Sequence, residues 1–195
     1  MMNKEDIEKV AEKHFIELMK YHLAGKENLA ILSIDMQSSF LDTVLHRKIP
    51  FLEAYHNKIK ELAIKNNILF IYSGYEKSGN CLNQNKNDLF FPKESFSALS
   101  NPSLVEFIIT NKIKTIYCIG LYRNNCVWST ICSFLLTPTK PKEFRNLDFR
   151  VITSYSGTGH TLDGYKLYSQ DINKKYNILS LREYGLIFLD YYSKD

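Results

Sequence analysis

The feature that most constrains the fold is a change from strand to helix within residues 114–136, KTIYCIGLYRNNCVWSTICSFLL. The first six residues, KTIYCI, have the pattern of a short buried strand, which ends at Gly120. From Cys126 onward the apolar residues recur at helical spacing, so this cysteine lies where the strand gives way to a helix. Open α/β sheets bind ligands at the carboxyl ends of their strands, and this position therefore favours a functional cysteine.

Two interpretations of Cys126 follow from this position. Asn124 or Asn125 can cap the helix, which would leave Cys126 in the first turn, where unpaired N–H groups and a partial positive charge lower a thiol pKa. The alternative is a small buried apolar residue without a chemical role. The position of the cysteine alone does not decide between them.

Two further stretches place charged side chains near strand ends. The apolar strand 29–34 ends at Asp35, and Lys93 follows a proline in the stretch 90–99. Taken singly, Asp35 could merely end a strand and Lys93 could be an exposed loop lysine. Because the carboxyl ends of parallel strands share one sheet edge, an acid, a lysine and Cys126 could converge there.

Together these motifs resemble those of the isochorismatase-like cysteine hydrolases, a superfamily that includes nicotinamidases and N-carbamoyl amidases. The family pattern D-x-Q-x-x-F is matched by Asp35, Gln37 and Phe40. The family lysine, followed shortly by Ser/Ala-Phe, is matched by Lys93 with Ser95 and Phe96. The pattern G-[LV]-x-x-x-x-C-V is matched by Gly120, Leu121, Cys126 and Val127. All three motifs occur in the family order, which makes the resemblance more specific than any one motif.

The resemblance implies a catalytic site formed by Asp35, Lys93 and Cys126. In it the cysteine is the nucleophile, the aspartate accepts the thiol proton and returns it to the leaving group, and the lysine stabilises the thiolate. It also implies a cis peptide bond between Leu121 and Tyr122, which would aim the N–H groups of Tyr122 and Cys126 at the oxyanion.

The same motifs supply the candidates for the substrate pocket, which are Gln37, Phe40, Phe96, Arg123 and Asn125. Arg123 could bind a substrate carboxylate bidentately, although an arginine in a turn is more often simply solvated. Four residues depart from the family pattern. Tyr122 and Arg123 stand where relatives often have alanine and threonine, Asn125 stands where a small or apolar residue is usual, and Ser154 stands where an acidic residue commonly follows the fifth strand. Substrate identity therefore cannot be transferred from the family.

No catalytic metal and no cofactor are predicted. Nicotinamidases carry metal-binding histidines after the second strand, whereas the polar loop 75–87 contains none. This loop is a candidate wall or lid of the site, or simply a solvated connection. His14 and His22 lie on the apolar stripe of an N-terminal amphipathic helix, where a packing role is favoured over a ligand role.

Alternating strands and helices predict an α/β fold with a mostly parallel sheet and helices on both faces. The resemblance implies the same three-layer α/β/α sandwich, with a Rossmann-like sheet of about six strands. The chain is expected to form a single domain over residues 1–195, with the helix in residues 1–27 packed on it. Helices are predicted at 4–24, 51–65, 102–111, from 126 onward and at 181–192, and strands at 29–34, 68–72, 90–91, 114–119, 148–153 and 176–179.

Composition excludes several classes of protein. The net charge of +4 is small beside 25 basic and 21 acidic residues, and the lysines are dispersed, so no nucleic-acid-binding surface is predicted. No apolar run approaches the roughly 18 residues of a membrane span. The charged N-terminus lacks the core of a signal peptide and the four cysteines lack metal-type spacing, which favours the cytoplasm. The resemblance adds a possible homo-oligomer, a dimer or tetramer.

The sequence thus predicts a cysteine-dependent hydrolase of a small amide, carbamoyl or related C–N substrate, acting through a thioacyl-enzyme intermediate. Two alternatives remain open: a binding protein that kept the fold but lost turnover, and an isochorismatase-type vinyl-ether hydrolase. Cys126 is expected to be the most reactive thiol, and Cys81, in a polar loop, to be exposed with a pKa near the ordinary value of about 8.5.

Overall fold

The computed structural model describes residues 3–25, 28–41, 49–136, 138–159 and 185–189. The α-helices are α1 (Lys4–Gly25), α2 (Ser38–Leu41), α3 (Ile49–Lys65), α4 (Pro102–Thr110) and α5 (Trp128–Leu135). The strands are β1 (Asn28–Ile34), β2 (Leu69–Gly74), β3 (Leu89–Pro92), β4 (Ile113–Gly120), β5 (Arg150–Thr158) and β6 (Leu186–Phe188). A π-helical turn, Arg123–Val127, precedes α5, and 3₁₀ turns lie at Ala98–Ser100 and Lys142–Phe144.

Within these ranges the strands form one sheet in the order β3-β2-β1-β4-β5-β6, and every neighbouring pair is parallel. β1 lies between β2 and β4, and all its residues except the first are buried. A strand covered on both faces should be almost wholly apolar, as this one is. The predicted parallel sheet is confirmed.

Helices cover both faces of the sheet, which gives the predicted three layers. Alternate residues of β1 point to opposite faces, so Leu32 belongs to the cluster formed with α4 and α5, and Ile31 to the cluster formed with α1 and α3. Burial of these apolar side chains is the main favourable term in the stability of such a sandwich.

The N-terminal helix packs as its apolar stripe predicted. Ala11 and Leu18 of α1 are fully buried, and α1 contacts α3 along its length. His14 is also buried, and its Nδ1 atom lies 2.7 Å from the hydroxyl oxygen of Tyr55, so this histidine is a hydrogen-bonded packing residue. The side chain of His22 lies outside the described residues. No helix in the described ranges is both long and apolar enough to cross a membrane.

The C-terminal elements differ from expectation. Residues 186–188 form β6, which pairs with residues 151–153 of β5, so the helix predicted over 181–192 is wrong at these positions. Leu186, Ile187 and Phe188 form a short apolar run that suits a strand or a helix equally, and pairing with the sheet decides the outcome. The strand predicted at 176–179 lies outside the described residues.

Candidate active site

Asp35, Lys93 and Cys126 converge at the carboxyl edge of the sheet. They follow β1, β3 and β4, and all three are buried. The side chains of Asp35 and Lys93 are 0% exposed, and Lys93 Nζ lies 3.1 Å from Asp35 Oδ2. The interpretation of Lys93 as an exposed loop lysine is therefore wrong.

The end of β2 fixes the backbone of both charged residues. The N–H of Asp35 donates to the carbonyl oxygen of Ser73 at 2.9 Å, and the N–H of Lys93 donates to that of Gly74 at 2.9 Å. Because these carbonyls belong to consecutive residues, the aspartate and the lysine are held beside each other by one strand end.

Gly120 brings the cysteine segment onto the same edge. Its φ of +138° is rarely adopted by other residues, and a Cβ atom here would collide with the carbonyl oxygen of Ile34. The N–H of Leu121 donates to that same oxygen at 2.9 Å. Ile34 directly precedes Asp35, so the segment that leads to Cys126 begins beside this aspartate.

Cys126 lies in the π-helical turn and not in the first turn of an α-helix. Tyr122 occupies the N-cap position with no side-chain cap, so the prediction of Asn124 or Asn125 as cap is wrong. The wider turn starts earlier, with the N–H of Val127 donating to the carbonyl oxygen of Tyr122 at 3.3 Å.

Thr130 ties this turn to the lysine loop. Its hydroxyl donates to the carbonyl oxygen of Cys126 at 2.8 Å and accepts from the N–H of Ala98 at 2.9 Å. The nucleophile candidate and the segment after Lys93 are therefore linked by one side chain.

The described residues contain no cis peptide bond, so the predicted cis bond between Leu121 and Tyr122 is wrong. The chain turns instead at Tyr122, which has a left-handed φ of +57°, and Asp35 also has a left-handed φ of +56°. Such conformations cost of order 1 kcal/mol or more in non-glycine residues and cluster at functional sites. The oxyanion role of the N–H groups of Tyr122 and Cys126 stays a prediction.

Burial decides the protonation state of the thiol. It raises the pKa of Cys126 to about 12, the Asp35 charge adds to this increase, and the Lys93 charge opposes it. The expected lowering of this pKa is therefore wrong, because removal from water outweighs the positive charge nearby. Cys126 is a neutral thiol at neutral pH.

The charged pair responds to burial in opposite ways. Burial raises the pKa of Asp35 against the lowering effects of Lys93 and Cys126. Burial alone would lower the pKa of Lys93, but Asp35 and its other neighbours raise it overall. Lys93 is therefore an ammonium ion that compensates the Asp35 carboxylate.

The Asp35 carboxylate is poorly satisfied. Neither Oδ1 nor Oδ2 accepts a hydrogen bond of normal geometry from the described residues, although Lys93 and Cys126 lie close enough to shift its pKa. The two Lys93 hydrogen bonds of good geometry go to the carbonyl oxygens of Ser95 at 3.1 Å and Phe96 at 3.3 Å. A buried carboxylate that is not fully satisfied by donors is a good acceptor for a proton in the site.

The structure brings Phe40 to the site but gives Gln37 another role. The Phe40 ring contacts those of Tyr75 and Tyr122, with centroids 6.0 and 5.5 Å away. The buried Gln37 amide donates to the carbonyl oxygens of Tyr75 at 2.7 Å and Gly79 at 2.8 Å, and accepts from the N–H of Tyr75 at 2.8 Å. These bonds use the side chain to hold the loop after β2.

The structure does not bring together the other three pocket candidates, Arg123, Phe96 and Asn125, as one cluster of side chains in the described residues. Arg123 donates from Nε to Thr158 Oγ1 at 2.6 Å and from Nη2 to the Thr158 carbonyl oxygen at 2.7 Å. Phe96 is 42% exposed and contributes its carbonyl oxygen to Lys93. Asn125 is half-buried, and its N–H donates to Tyr122.

Sequence reasoning missed Tyr75. Its ring centroid lies 4.1 Å from Lys93 Nζ, within the range of a cation–π interaction. The available signal was an aromatic residue directly after β2, in the loop expected to be a wall of the site.

Cys81 is not the exposed thiol that was expected. It is buried, and its backbone forms an isolated bridge with Gln37. Burial raises its pKa to about 12.

The described residues do not fit a metal like that of nicotinamidases. No group of three or more His, Cys, Asp or Glu side chains in the described part of the chain could hold an ion. The loop after β2 offers no histidine in its sequence, so the absence of a catalytic metal stays a prediction based on the ligand set.

Comparison with known families gives a match to the isochorismatase domain over residues 29–136. This range includes Asp35, Lys93 and Cys126. None of the curated protein sequences matches the chain significantly.

Several solved structures are similar to this fold. The N-carbamoylsarcosine amidase from Thermoplasma acidophilum is 16% identical with a TM-score of 0.61, over 83% of this chain and 95% of that one. The pyrazinamidase of Pyrococcus horikoshii, solved in complex with zinc, is 12% identical with a TM-score of 0.60, over 84% and 99%. The MAR1 ribonuclease from Caenorhabditis elegans is 16% identical with a TM-score of 0.58, over 82% and 75%.

Proposed function

Because this chain belongs to the isochorismatase family of hydrolases, we propose that it is a cysteine-dependent hydrolase of a small amide, carbamoyl or related C–N substrate. The observation that carries the proposal is the convergence of Asp35, Lys93 and Cys126, all buried, at the carboxyl edge of the parallel sheet. Buried titratable groups that shift each other's pKa values at a strand edge are typical of catalytic sites.

The protonation states support a mechanism in which the thiol is activated during attack. As Cys126 Sγ forms a bond to the acyl carbon, its proton passes to the Asp35 carboxylate, whose raised pKa makes it a better base. The acyl oxygen becomes an oxyanion, for which the N–H groups of Tyr122 and Cys126 are the proposed donors. Lys93 keeps the aspartate ionised until the transfer.

The remaining steps return the proton. Collapse of the oxyanion breaks the C–N bond, and Asp35 gives its proton to the departing nitrogen, which leaves a thioester on Cys126. Water then attacks the thioester while Asp35 takes one of its protons. The C–S bond breaks, the sulfur recovers that proton, and the carboxylic acid departs.

The depth of the site favours one alternative, a binding protein without turnover. Asp35 and Lys93 are fully shielded, and Cys126 has a high pKa. Turnover separates the two proposals, because a binding protein would release no ammonia from any substrate. Our proposal also places the protein in the cytoplasm with a small-molecule substrate, no catalytic metal and no nucleic-acid partner.

The test is a screen of small amides and carbamoyl compounds for ammonia release, with a short RNA as a separate arm. The wild type should release ammonia and Cys126→Ala should not. Cys132→Ala is the matched control, because Cys132 is also a buried thiol, six residues further along, in the helix that follows. Ammonia release that survives in Cys126→Ala, or RNA cleavage without amide hydrolysis, would overturn the proposal.

A further inference from the structure

Tyr75 is a partly exposed neighbour of the buried Lys93 side chain. It is the first residue after β2, it is half-buried, and its ring centroid lies 4.1 Å from Lys93 Nζ. The Lys93 side chain is 0% exposed. The tyrosine ring therefore belongs to the cover that keeps water from the ammonium group.

The Lys93 ammonium group has partners on several sides among the described residues. Its two good hydrogen bonds go to the carbonyl oxygens of Ser95 and Phe96, on its own loop. The contact with Asp35 Oδ2, at 3.1 Å, is an ion pair between two fully buried side chains. Tyr75 supplies a further attraction through its ring, whose π-system carries partial negative charge, and its hydroxyl group also interacts with Lys93.

The position of Tyr75 is itself tightly determined. Gln37 holds both its N–H and its carbonyl oxygen, with bonds of 2.8 and 2.7 Å. A Cβ atom on Gly74 would collide with the Gln37 side-chain amide, so a larger residue there would displace this amide. Burial raises the pKa of Tyr75 despite Lys93, so the ring is a neutral phenol at neutral pH.

We propose that Tyr75 is a positioning residue whose ring holds the Lys93 ammonium beside Asp35 and Cys126, and that Gln37 acts through Tyr75. The D-x-Q motif then serves the site twice. Asp35 contacts Lys93 directly, and Gln37, two residues later, fixes the ring on which the lysine rests. The kinetic consequence rests on the proposed function, but the positioning does not.

Nuclear magnetic resonance of the lysine side chains tests the positioning without turnover. Protons over the face of an aromatic ring are shifted upfield, so the Lys93 Hε and Hζ signals, assigned with Lys93→Arg, should be shifted in the wild type. Tyr75→Phe should keep this shift and Tyr75→Leu should lose it. Gln37→Asn, whose shorter amide cannot reach all three backbone partners, should reduce the shift while the ring is still present.

The chain supplies an internal control in the Lys60 ammonium, which lies 5.1 Å from the Tyr72 ring centroid. The Lys60 signals should not change in any Tyr75 variant that keeps its fold. Unchanged Lys93 signals in Tyr75→Leu would overturn the proposal. If Tyr75→Leu does not fold, unchanged Lys93 signals in Gln37→Asn would overturn it equally.

Kinetics adds a second readout if the wild type turns over a substrate. Tyr75→Leu should lower kcat about tenfold, as loss of one desolvated cation–π contact would do, with a smaller change in KM. Tyr75→Phe should recover most of that loss. If the Lys93 signals are shifted upfield but the protein turns over no substrate, only the proposed function is refuted. If the protein turns over a substrate but the Lys93 signals are not shifted, only the positioning role of Tyr75 is refuted.

Discussion

Replacing Lys93 by methionine tests the balance of charge in the site. Methionine keeps most of the volume of the lysine side chain but leaves the Asp35 carboxylate buried without a compensating charge. Both side chains are 0% exposed, and neither carboxylate oxygen has a well-aligned donor among the described residues. Breaking such a buried pair costs about 3–5 kcal/mol of unfolding free energy, a large part of the 5–15 kcal/mol of a typical domain.

Urea unfolding measures this cost. With a slope of about 2 kcal/mol per molar urea, Lys93→Met should lower the midpoint by about 1.5 M or more. The double variant Asp35→Asn/Lys93→Met should recover most of the loss, because it leaves no buried charge. The matched control is Lys60→Met, since Lys60 pairs with an Asp88 carboxylate that is 20% exposed and also accepts from the N–H of Asn85. That control should cost less.

The pH dependence has a definite sign. The pKa of Asp35 is raised in the folded protein, so folding favours its protonated form, and stability falls as the pH rises through the folded pKa. In the wild type the positive charge of Lys93 lowers the Asp35 pKa. Replacing Lys93 by methionine should therefore raise this pKa further. The deficit of Lys93→Met relative to the wild type should therefore shrink as the pH falls through the Asp35 pKa of the variant. A deficit below about 1 kcal/mol, or additive effects in the double variant, would refute this account of the pair.

Two further predictions concern stability. Gly120→Ala should lower the unfolding free energy, measured in urea, by about 3 kcal/mol, because the added Cβ atom would meet the Ile34 backbone. Gly79→Ala is the control, since Gly79 also has a positive φ but only the Ser38 side chain nearby, and it should cost about 1 kcal/mol. Equal costs would contradict the close approach of Gly120 to Ile34. Burial lowers the pKa of His56 from 6.5 to about 4. Protonation of this histidine should therefore reduce the unfolding free energy of the wild type by up to about 3 kcal/mol as the pH falls from 6.5 to 4. His56→Gln should lose less stability over this range, and an equal loss would contradict the buried, neutral state of His56.

The arrangement of Asp35, Lys93 and Cys126 could be predicted because it follows from topology. Each residue stands after an apolar strand in the sequence, and parallel strands joined by helices bring their carboxyl ends to one edge. The resemblance to the family motifs then selected these three residues from the others at the strand ends. The covering of both sheet faces by helices could also be predicted, because the strand β1 is an almost continuous apolar run.

The backbone at the site could not be predicted in the same way. The left-handed Tyr122 and the π-helical turn depend on Gly120 approaching Ile34, a contact between segments 86 residues apart in sequence. The protonation of Cys126 depends on the depth of burial, which no local pattern records. The apolar stretch that became β6 suits two kinds of element, and only its partner strand distinguishes them.

The last prediction asks how the buried thiol loses its proton. With a pKa of about 12, the thiolate fraction of Cys126 should rise tenfold per pH unit across neutral pH, and so should any reaction that requires a preformed thiolate. If Asp35 removes the proton during attack, the rate should instead be nearly independent of pH once Asp35 is ionised.

Alkylation by iodoacetamide, followed by peptide mapping, separates these cases through the slope of log rate against pH. We expect a slope near zero for Cys126 in the wild type at pH values above the raised pKa of Asp35, and near one in Asp35→Asn. Cys132, whose pKa burial raises to about 12, should have a slope near one in both proteins and serves as the internal reference. Since Cys81 has no such base assigned to it, lowering the pH should widen the gap in rate between Cys126 and Cys81. A slope near one for Cys126 in the wild type would mean that Asp35 does not take the thiol proton, and the proposed catalytic role of this carboxylate would fail.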